Sequence, residues 1–154
     1  MQIRLLEELD EAAEQEILLP LRDYNRTNNA TFYEARERPE NTRRPMNVVA
    51  CDDNGRIVGG LMGETQFYWL KIKYMSVAED HRRRGVGRDI VAAAEAEAIV
   101  RGCRYSFVDT MDYQAPVFYQ KLGYEIAGQL PNWDSHGHTK LFLMKRLIET
   151  ESAE

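Results

Sequence analysis

Cysteine is scarce in this chain. Cys51 and Cys103 are the two in 154 residues, and their spacing fits neither a metal site nor a redox pair, which points to a reduced, cytoplasmic setting. No apolar run approaches the roughly 20 residues of a membrane-crossing helix. The opening MQIRLLEELDEAAEQE lacks the basic start, apolar stretch and small-residue cleavage site of a signal peptide. No membrane partner is therefore expected. Positive charge is in deficit: 20 Lys and Arg against 25 Asp and Glu leave a net charge of −5. That balance argues against nucleic acid as the main partner and suits a cationic small molecule. Histidines number three, and the pair His136 and His138 beside Asp134 reads as solvated or locally hydrogen-bonded, or as part of a substrate-side loop before the last strand, so no metal is expected. A P-loop is missing, because no Gly-Lys-Ser/Thr follows the glycine motif. A Rossmann fingerprint is missing too, since Ile90 stands where its third glycine should be.

What remains is an ordinary globular composition, 44% hydrophobic and 29% charged, in a length that suits one domain with a real core. Against the acidic background the run SVAEDHRRRGVGR, residues 76–88, concentrates positive charge. It reads as a strand end, a basic turn and two glycines that open a helix. Glycines at such a junction let the backbone approach a ligand and leave amide N–H groups unpaired. Those amides and the positive end of the helix dipole suit a phosphate. Arg82, Arg83, Arg84 and Arg88 add charge-assisted donors. The run is read as a pyrophosphate-binding turn, with a plain solvated turn as the alternative.

Along the chain, residues 2–6 alternate like a first strand. A helix follows from Asp10, a candidate N-cap, to about Asn25, and Pro20 predicts a kink or a split within it. Residues 34–45 read as a mobile surface loop. Three strands come next: Asn47–Cys51, then Arg56 to about Trp69 after an Asn-Gly hairpin turn, then Leu70–Val77. Gly85 to Arg101 is a helix whose buried stripe is Ile90, Val91, Ala94, Ala98 and Ile99, closed by Gly102. Tyr105–Asp109 is a strand, Gln114–Leu122 a short helix, and Tyr124–Gly128 and Lys140–Leu147 are the last strands. The pattern predicts an α/β fold with one mixed sheet flanked by helices.

Two motifs resemble those of the GCN5-related N-acetyltransferase (GNAT) superfamily. One is the turn Arg82-Arg83-Arg84-Gly85-Val86-Gly87. The other is Ala115-Pro116-Val117-Phe118-Tyr119-Gln120-Lys121-Leu122-Gly123-Tyr124, similar to the family's A-x-x-F-Y-x-K-x-G-F/Y. The order of elements matches as well. More narrowly, the QAP segment followed by Gly137-His138 and Phe142 resembles a subgroup of small bacterial acetyltransferases. The resemblance implies a GNAT domain over residues 1–148, with a mixed, mostly antiparallel sheet, and a polar tail at 149–154. It also implies acetyl-CoA as co-substrate, with no covalent enzyme intermediate, and members of the fold are often homodimers.

Carried over by position, the backbone of Met75 and Val77 would meet the pantetheine arm and the acetyl carbonyl. Amides of Arg82, Arg83, Arg84, Gly85, Val86, Gly87 and Arg88 would cradle the pyrophosphate, and Ala115 would contact the arm. Asp112 stands where the family often has Asn, and an ionised carboxylate cannot donate. Tyr119 occupies the position of the general acid, and on its own would read as a core aromatic. A phenol near 10 is not far above a thiol near ~8.5. For the base, Asp109 is one candidate, with a turn or cap role as its alternative. Glu64 is the rival, for base or acceptor binding, and a water chain needs neither. Trp133, one of Phe67, Tyr68 and Trp69 (otherwise core or sheet-face residues), and Asn25, Asn28, Asn29, Phe32 and Tyr33 (otherwise a plain polar loop) are candidate acceptor walls. The expected activity is transfer of an acetyl group to a primary amine of a small cationic molecule, such as an antibiotic or metabolite. A peptide or protein N-acetyltransferase and a non-catalytic acyl-CoA-binding module are the alternatives.

Overall fold

Local signals set the ends of most elements. In the computed structural model, whose described residues are 1–148, the chain forms two compact units, Met1–Asn41 and the residues from Thr42 on. The expected polar tail, 149–154, lies outside the described residues.

In the first unit the Asp10 carboxylate accepts the Ala13 amide at 2.8 Å and starts α1 (Glu11–Asn28). Asn29 does the same for α2 (Ala30–Arg36), accepting from the Phe32 amide at 3.1 Å. Three expectations are corrected here. Residues 2–6 form no strand: Ile3 and Leu5 are 85% and 100% exposed, and alternation without a neighbouring strand makes no sheet. Pro20 does not split α1, which runs unbroken through it, since proline removes one backbone bond and the flanking turns retain theirs. The loop at 34–45 is largely structured. α2 reaches Arg36, a single 3-10 turn covers Pro39–Asn41, and Asn41 Nδ2 donates to Ala35 O at 2.8 Å.

The second unit begins with a meander of β1 (Arg44–Cys51), β2 (Ile57–Gln66) and β3 (Trp69–Val77). Asp52 folds the first hairpin by accepting the amides of Asn54 and Arg56, while Gly55 takes the positive φ of 79° that the turn needs. α3 (Val86–Val100) then crosses to β4 (Tyr105–Met111), followed by α4 (Pro116–Lys121), β5 (Glu125–Leu130) and β6 (Lys140–Arg146). The strands lie in the order β1-β2-β3-β4-β6-β5. Every neighbouring pair is antiparallel except β3 with β4, the one connection that needs a helical crossover. The fold is α/β with a mixed, mostly antiparallel sheet, as the sequence predicts.

One face of this sheet carries the core. Met46, Leu61, Leu70, Ile72, Val108, Leu141 and Leu143 pack against Ile90, Val91, Ala94 and Ala98 of α3. Leu70, Ile72 and Leu143 are essentially inaccessible, each worth about 1.5–3 kcal/mol of burial. Ile99 departs from the expected stripe and is 42% exposed, because one residue past Ala98 the helix turns it away from the sheet.

Candidate active site

A single extra residue in β3 creates the site. Met62 pairs with Tyr74 and Gly63 with Ile72, so Lys73 is bulged out of the β2–β3 ladder. Gly63 makes the bulge feasible: a Cβ there would lie 2.3 Å from the Lys71 carbonyl oxygen. Before the bulge Leu70 and Ile72 face the core, and after it Met75 and Val77 pack on the same side. The β3–β4 ladder runs from Trp69–Tyr105 to Ile72–Val108 and then ends, although β3 continues to Val77 on β2 and β4 to Met111 on β6. The facing edges of the two strands therefore diverge, and their backbone groups there have no ladder partner.

A cavity of about 890 Å³ occupies this divergence. Met75 and Val77 line it from β3, Asp109 and Thr110 from β4, and Gln114, Ala115 and Tyr119 from the α4 end. The Tyr119 hydroxyl lies 3.8 Å from Met75 Sδ, and its ring packs edge-on against Phe118 and Tyr124 at 5.1 and 5.5 Å. Burial pushes the Tyr119 phenol up to about 12, well above the ordinary value near ~10 assumed from sequence. Gln114 braces the turn by accepting from the Met111 amide at 2.9 Å and the Thr110 hydroxyl at 3.1 Å. Sequence reasoning passed over Gln114, Thr110 and Lys73 as site residues, although the QAP segment held one of them.

The arginine turn adjoins the cavity through Val77 and Ala78. Arg83 and Gly85 both take positive φ, 60° and 87°. The first i→i−4 bond of α3 runs from the Asp89 amide to Gly85 O at 3.0 Å, so the amides of Val86, Gly87 and Arg88 precede it and have no partner within the helix. The arginines divide. Arg82 Nε donates to Val77 O at 3.0 Å and Arg88 Nε to Asp89 at 2.9 Å. Arg83 and Arg84 make no ion pair among the described residues. A Cβ on Gly87 would stand 3.1 Å from Met75 Cε and 3.3 Å from the Phe118 ring, which fits glycine where the helix start meets the cavity wall. These residues fit a diphosphate-bearing arm: amides and guanidiniums at one end, a narrow backbone-lined gap at the other.

The remaining candidates separate. Asp109 alternates with the buried Val108 and Thr110 and so projects from the sheet face opposite the core, where Lys140 Nζ lies 2.8 Å from Oδ2. Glu64 does not line the cavity. Its carboxylate pairs with Lys73 and Arg43, and the Lys73 hydrogen bond, more than the nearby positive charges, holds it below the usual carboxylate range. Asp112 is not at the cavity either. It accepts the Thr139 amide at 2.9 Å and faces His138 Nδ1 at 3.1 Å, and these bonds, Thr139 first, hold it below its usual range. Tyr68 lies under Arg104 and Trp69 stacks on Tyr105, at the end of β3 remote from the divergence. Trp133 receives Lys140 on its face at 4.7 Å. Asn28 and Asn29 serve as local hydrogen-bonding residues of the helical unit.

A family model described as an acetyltransferase (GNAT) domain matches residues 45–126. Blasticidin-S acetyltransferase of Streptomyces morookaense is 39% identical over 116 residues, covering 73% of this chain and 85% of that protein. A crystal structure of an acetyltransferase from Bacillus cereus is 28% identical, covers 93% of this chain and 97% of its own, and superposes with a TM-score of 0.71. An aminoglycoside 6′-N-acetyltransferase complexed with coenzyme A, 21% identical, shares the fold over 99% of this chain and 100% of its own at a TM-score of 0.65. The chain belongs to the GNAT acetyltransferase family. No helix among the described residues is long and apolar enough to cross a membrane.

Proposed function

We propose that the protein transfers an acetyl group from acetyl-CoA to a primary amine of a small cationic molecule, within one GNAT domain spanning residues 1–148. The observation that carries this reading is the Tyr119 hydroxyl set beside Met75 in the cavity where β3 and β4 diverge. The co-substrate supplies an activated acyl thioester. The facing edges of β3 and β4 around Met75, Val77 and Asp109, which have no ladder partner across the gap, suit an arm that carries amide groups, and Ala115 closes it from the α4 end. Amides of Val86, Gly87 and Arg88 with the guanidiniums of Arg83 and Arg84 hold the diphosphate, while Arg82 braces the turn.

The acceptor side is read from charge. Asp109 is the one carboxylate lining the cavity among the described residues, and the positive charge of Lys73 is countered by Glu64. An acceptor ammonium competes with Lys140 for Asp109. The name of the blasticidin-S relative supports a small antibiotic-like acceptor. The free thiols Cys51 and Cys103 fit a reducing, cytoplasmic compartment.

Direct attack needs a neutral amine. A lysine-like amine near 10.4 costs about 4.6 kcal/mol to deprotonate at pH 7, an α-amine near 8 about 1 kcal/mol. At the other end of the reaction Tyr119 offers its O–H to the departing sulfur. The test is thiol release from acetyl-CoA against polyamines, aminoglycoside-like and streptothricin-like amines, amino acids and short peptides. Turnover on a small cationic class is expected. Turnover confined to peptides would make this a peptide acetyltransferase, and tight CoA binding with no turnover at all would make it a binding module.

A further inference from the structure

At the cavity wall an ammonium already sits among groups that bind cations, and it belongs to the protein itself. In the β4–β6 ladder Asp109 pairs with Phe142 and Met111 with Lys140, which puts the side chains of Asp109, Phe142 and Lys140 on one sheet face. Lys140 Nζ lies 2.8 Å from Asp109 Oδ2, 4.7 Å from the centre of the Trp133 ring and 5.8 Å from that of Phe142. Both rings are held in place. Phe142 stacks on Phe107 with centroids 6.2 Å and planes 5° apart, and the Trp133 amide donates to His138 O at 2.9 Å, closing its loop onto the segment before β6. A carboxylate flanked by aromatic faces attracts an ammonium or guanidinium of any origin. Asp109 also lines the cavity where β3 and β4 diverge, so this cluster and the cavity share a residue.

From this arrangement we infer that Asp109, Trp133 and Phe142 form a cation subsite, filled by Lys140 in the free protein and by a second cationic group of the acceptor during binding. The inference rests on the amine-acetylation reading above and narrows it: the acceptor carries two cationic nitrogens, one that reacts and one that is held. A nitrogen lodged against Asp109 is a charged, hydrogen-bonded ammonium with no lone pair to attack a thioester, so the nucleophile is a different nitrogen. The cavity has room for that division. Met75 and Tyr119 line it from the end of β3 and from α4, while Asp109 lines it from β4. Lys140 is suited to exchange. Its side chain is 22% accessible and that of Asp109 31%, and its flexible four-carbon stem lets the ammonium swing out to water. Displacement trades one ammonium for another, so the half-buried carboxylate is never left without a counter-charge, which would be costly. An acceptor whose far end is neutral or anionic gains nothing by breaking the Lys140–Asp109 pair. The subsite therefore selects for charge at a distance from the reacting amine.

The experiment uses the full-length protein and two readouts, one of which needs no turnover. Methylguanidinium, a cation that serves here only as a ligand, is titrated while tryptophan fluorescence is followed, and Trp133→Phe identifies the part of the signal that comes from Trp133. Acetylation is then measured with an α,ω-diaminopentane and with the amino alcohol of the same length. Wild type should show a saturable Trp133 signal. Lys140→Met should tighten methylguanidinium by about 10-fold, because a tethered competitor is gone. Asp109→Asn should weaken it by about 10- to 150-fold, the worth of a hydrogen bond to a charged group, and Trp133→Leu, read by calorimetry, by about 2- to 30-fold. In kcat/KM wild type should favour the diamine over the amino alcohol by at least about 10-fold, and Asp109→Asn should erase that preference. An unchanged affinity in Lys140→Met, or a preference that survives Asp109→Asn, would overturn the inference and leave the pair as a brace between β4 and β6. The two readings fail separately. Turnover on amines with no Trp133 response sinks the subsite alone, whereas the expected binding pattern with no acetylation of either amine supports the subsite and sinks the transfer reading.

Discussion

Tyr119→Phe is the substitution whose outcome the structure constrains most tightly. It removes one oxygen from a ring that is 6% exposed and clamped between Phe118 and Tyr124. That oxygen's hydrogen-bond partner is Met75 Sδ at 3.8 Å, a weak acceptor at long range. Its removal should therefore change folding stability by no more than about 1 kcal/mol. The effect on rate is different in kind. With the phenol pushed up to about 12, full proton transfer to a thiolate near ~8.5 would be uphill by roughly 5 kcal/mol. What Tyr119 supplies is a hydrogen bond to charge developing on sulfur, and bonds to charged groups are worth about 1.5–3 kcal/mol. That range converts to a fall in kcat of about 10- to 150-fold. Urea unfolding and thiol-release kinetics on the same preparation test both halves. A kcat within twofold of wild type, with stability unchanged, would refute the role assigned to the hydroxyl. A large drop accompanied by unfolding would refute the claim that the oxygen is structurally dispensable.

Two further outcomes concern stability. The raised phenols of Tyr119 and Tyr124 are favoured in their neutral form by the fold, chiefly through burial. A pKa raised on folding contributes stability that is complete below about pH 10 and is lost as pH rises towards 12, about 3 kcal/mol for Tyr119 alone. Urea midpoints from pH 8 to 11.5 should fall less steeply in Tyr119→Phe than in wild type, and parallel curves would contradict the burial argument. Gly63→Ala forces a Cβ to within 2.3 Å of a backbone carbonyl, which costs about 1–3 kcal/mol or opens the bulge. A raised KM for acetyl-CoA should accompany the loss, measured against Gly128→Ala, where a Cβ meets nothing within 4 Å.

The elements read correctly from sequence were those set by short-range chemistry. Asp10 caps α1, Gly55 makes its turn, and Gly85 and Gly102 bracket α3 with positive φ, because each depends on a few neighbouring atoms. The failures share the opposite property. Residues 2–6 have the alternation of a strand but no neighbour to pair with, and Pro20 has the residue type of a break within a helix whose flanking turns survive it. Periodicity reports what a segment could do. Only partners decide whether it does.

The same distinction governs the site. The arginine turn and the Tyr119 segment were legible because their chemistry is written in consecutive residues. The partners of the two base candidates were not, because they come from other strands. Asp109 and Glu64 were singled out for residue type and strand position, but Lys140 and Lys73, each on a different strand from its partner, take up their carboxylates. The reverse holds for Asp112. Its departure from asparagine looked like a defect in cofactor binding, since a carboxylate cannot donate. Across the sheet, however, it meets the Thr139 amide and His138 Nδ1, donors that an asparagine side chain would satisfy without charge.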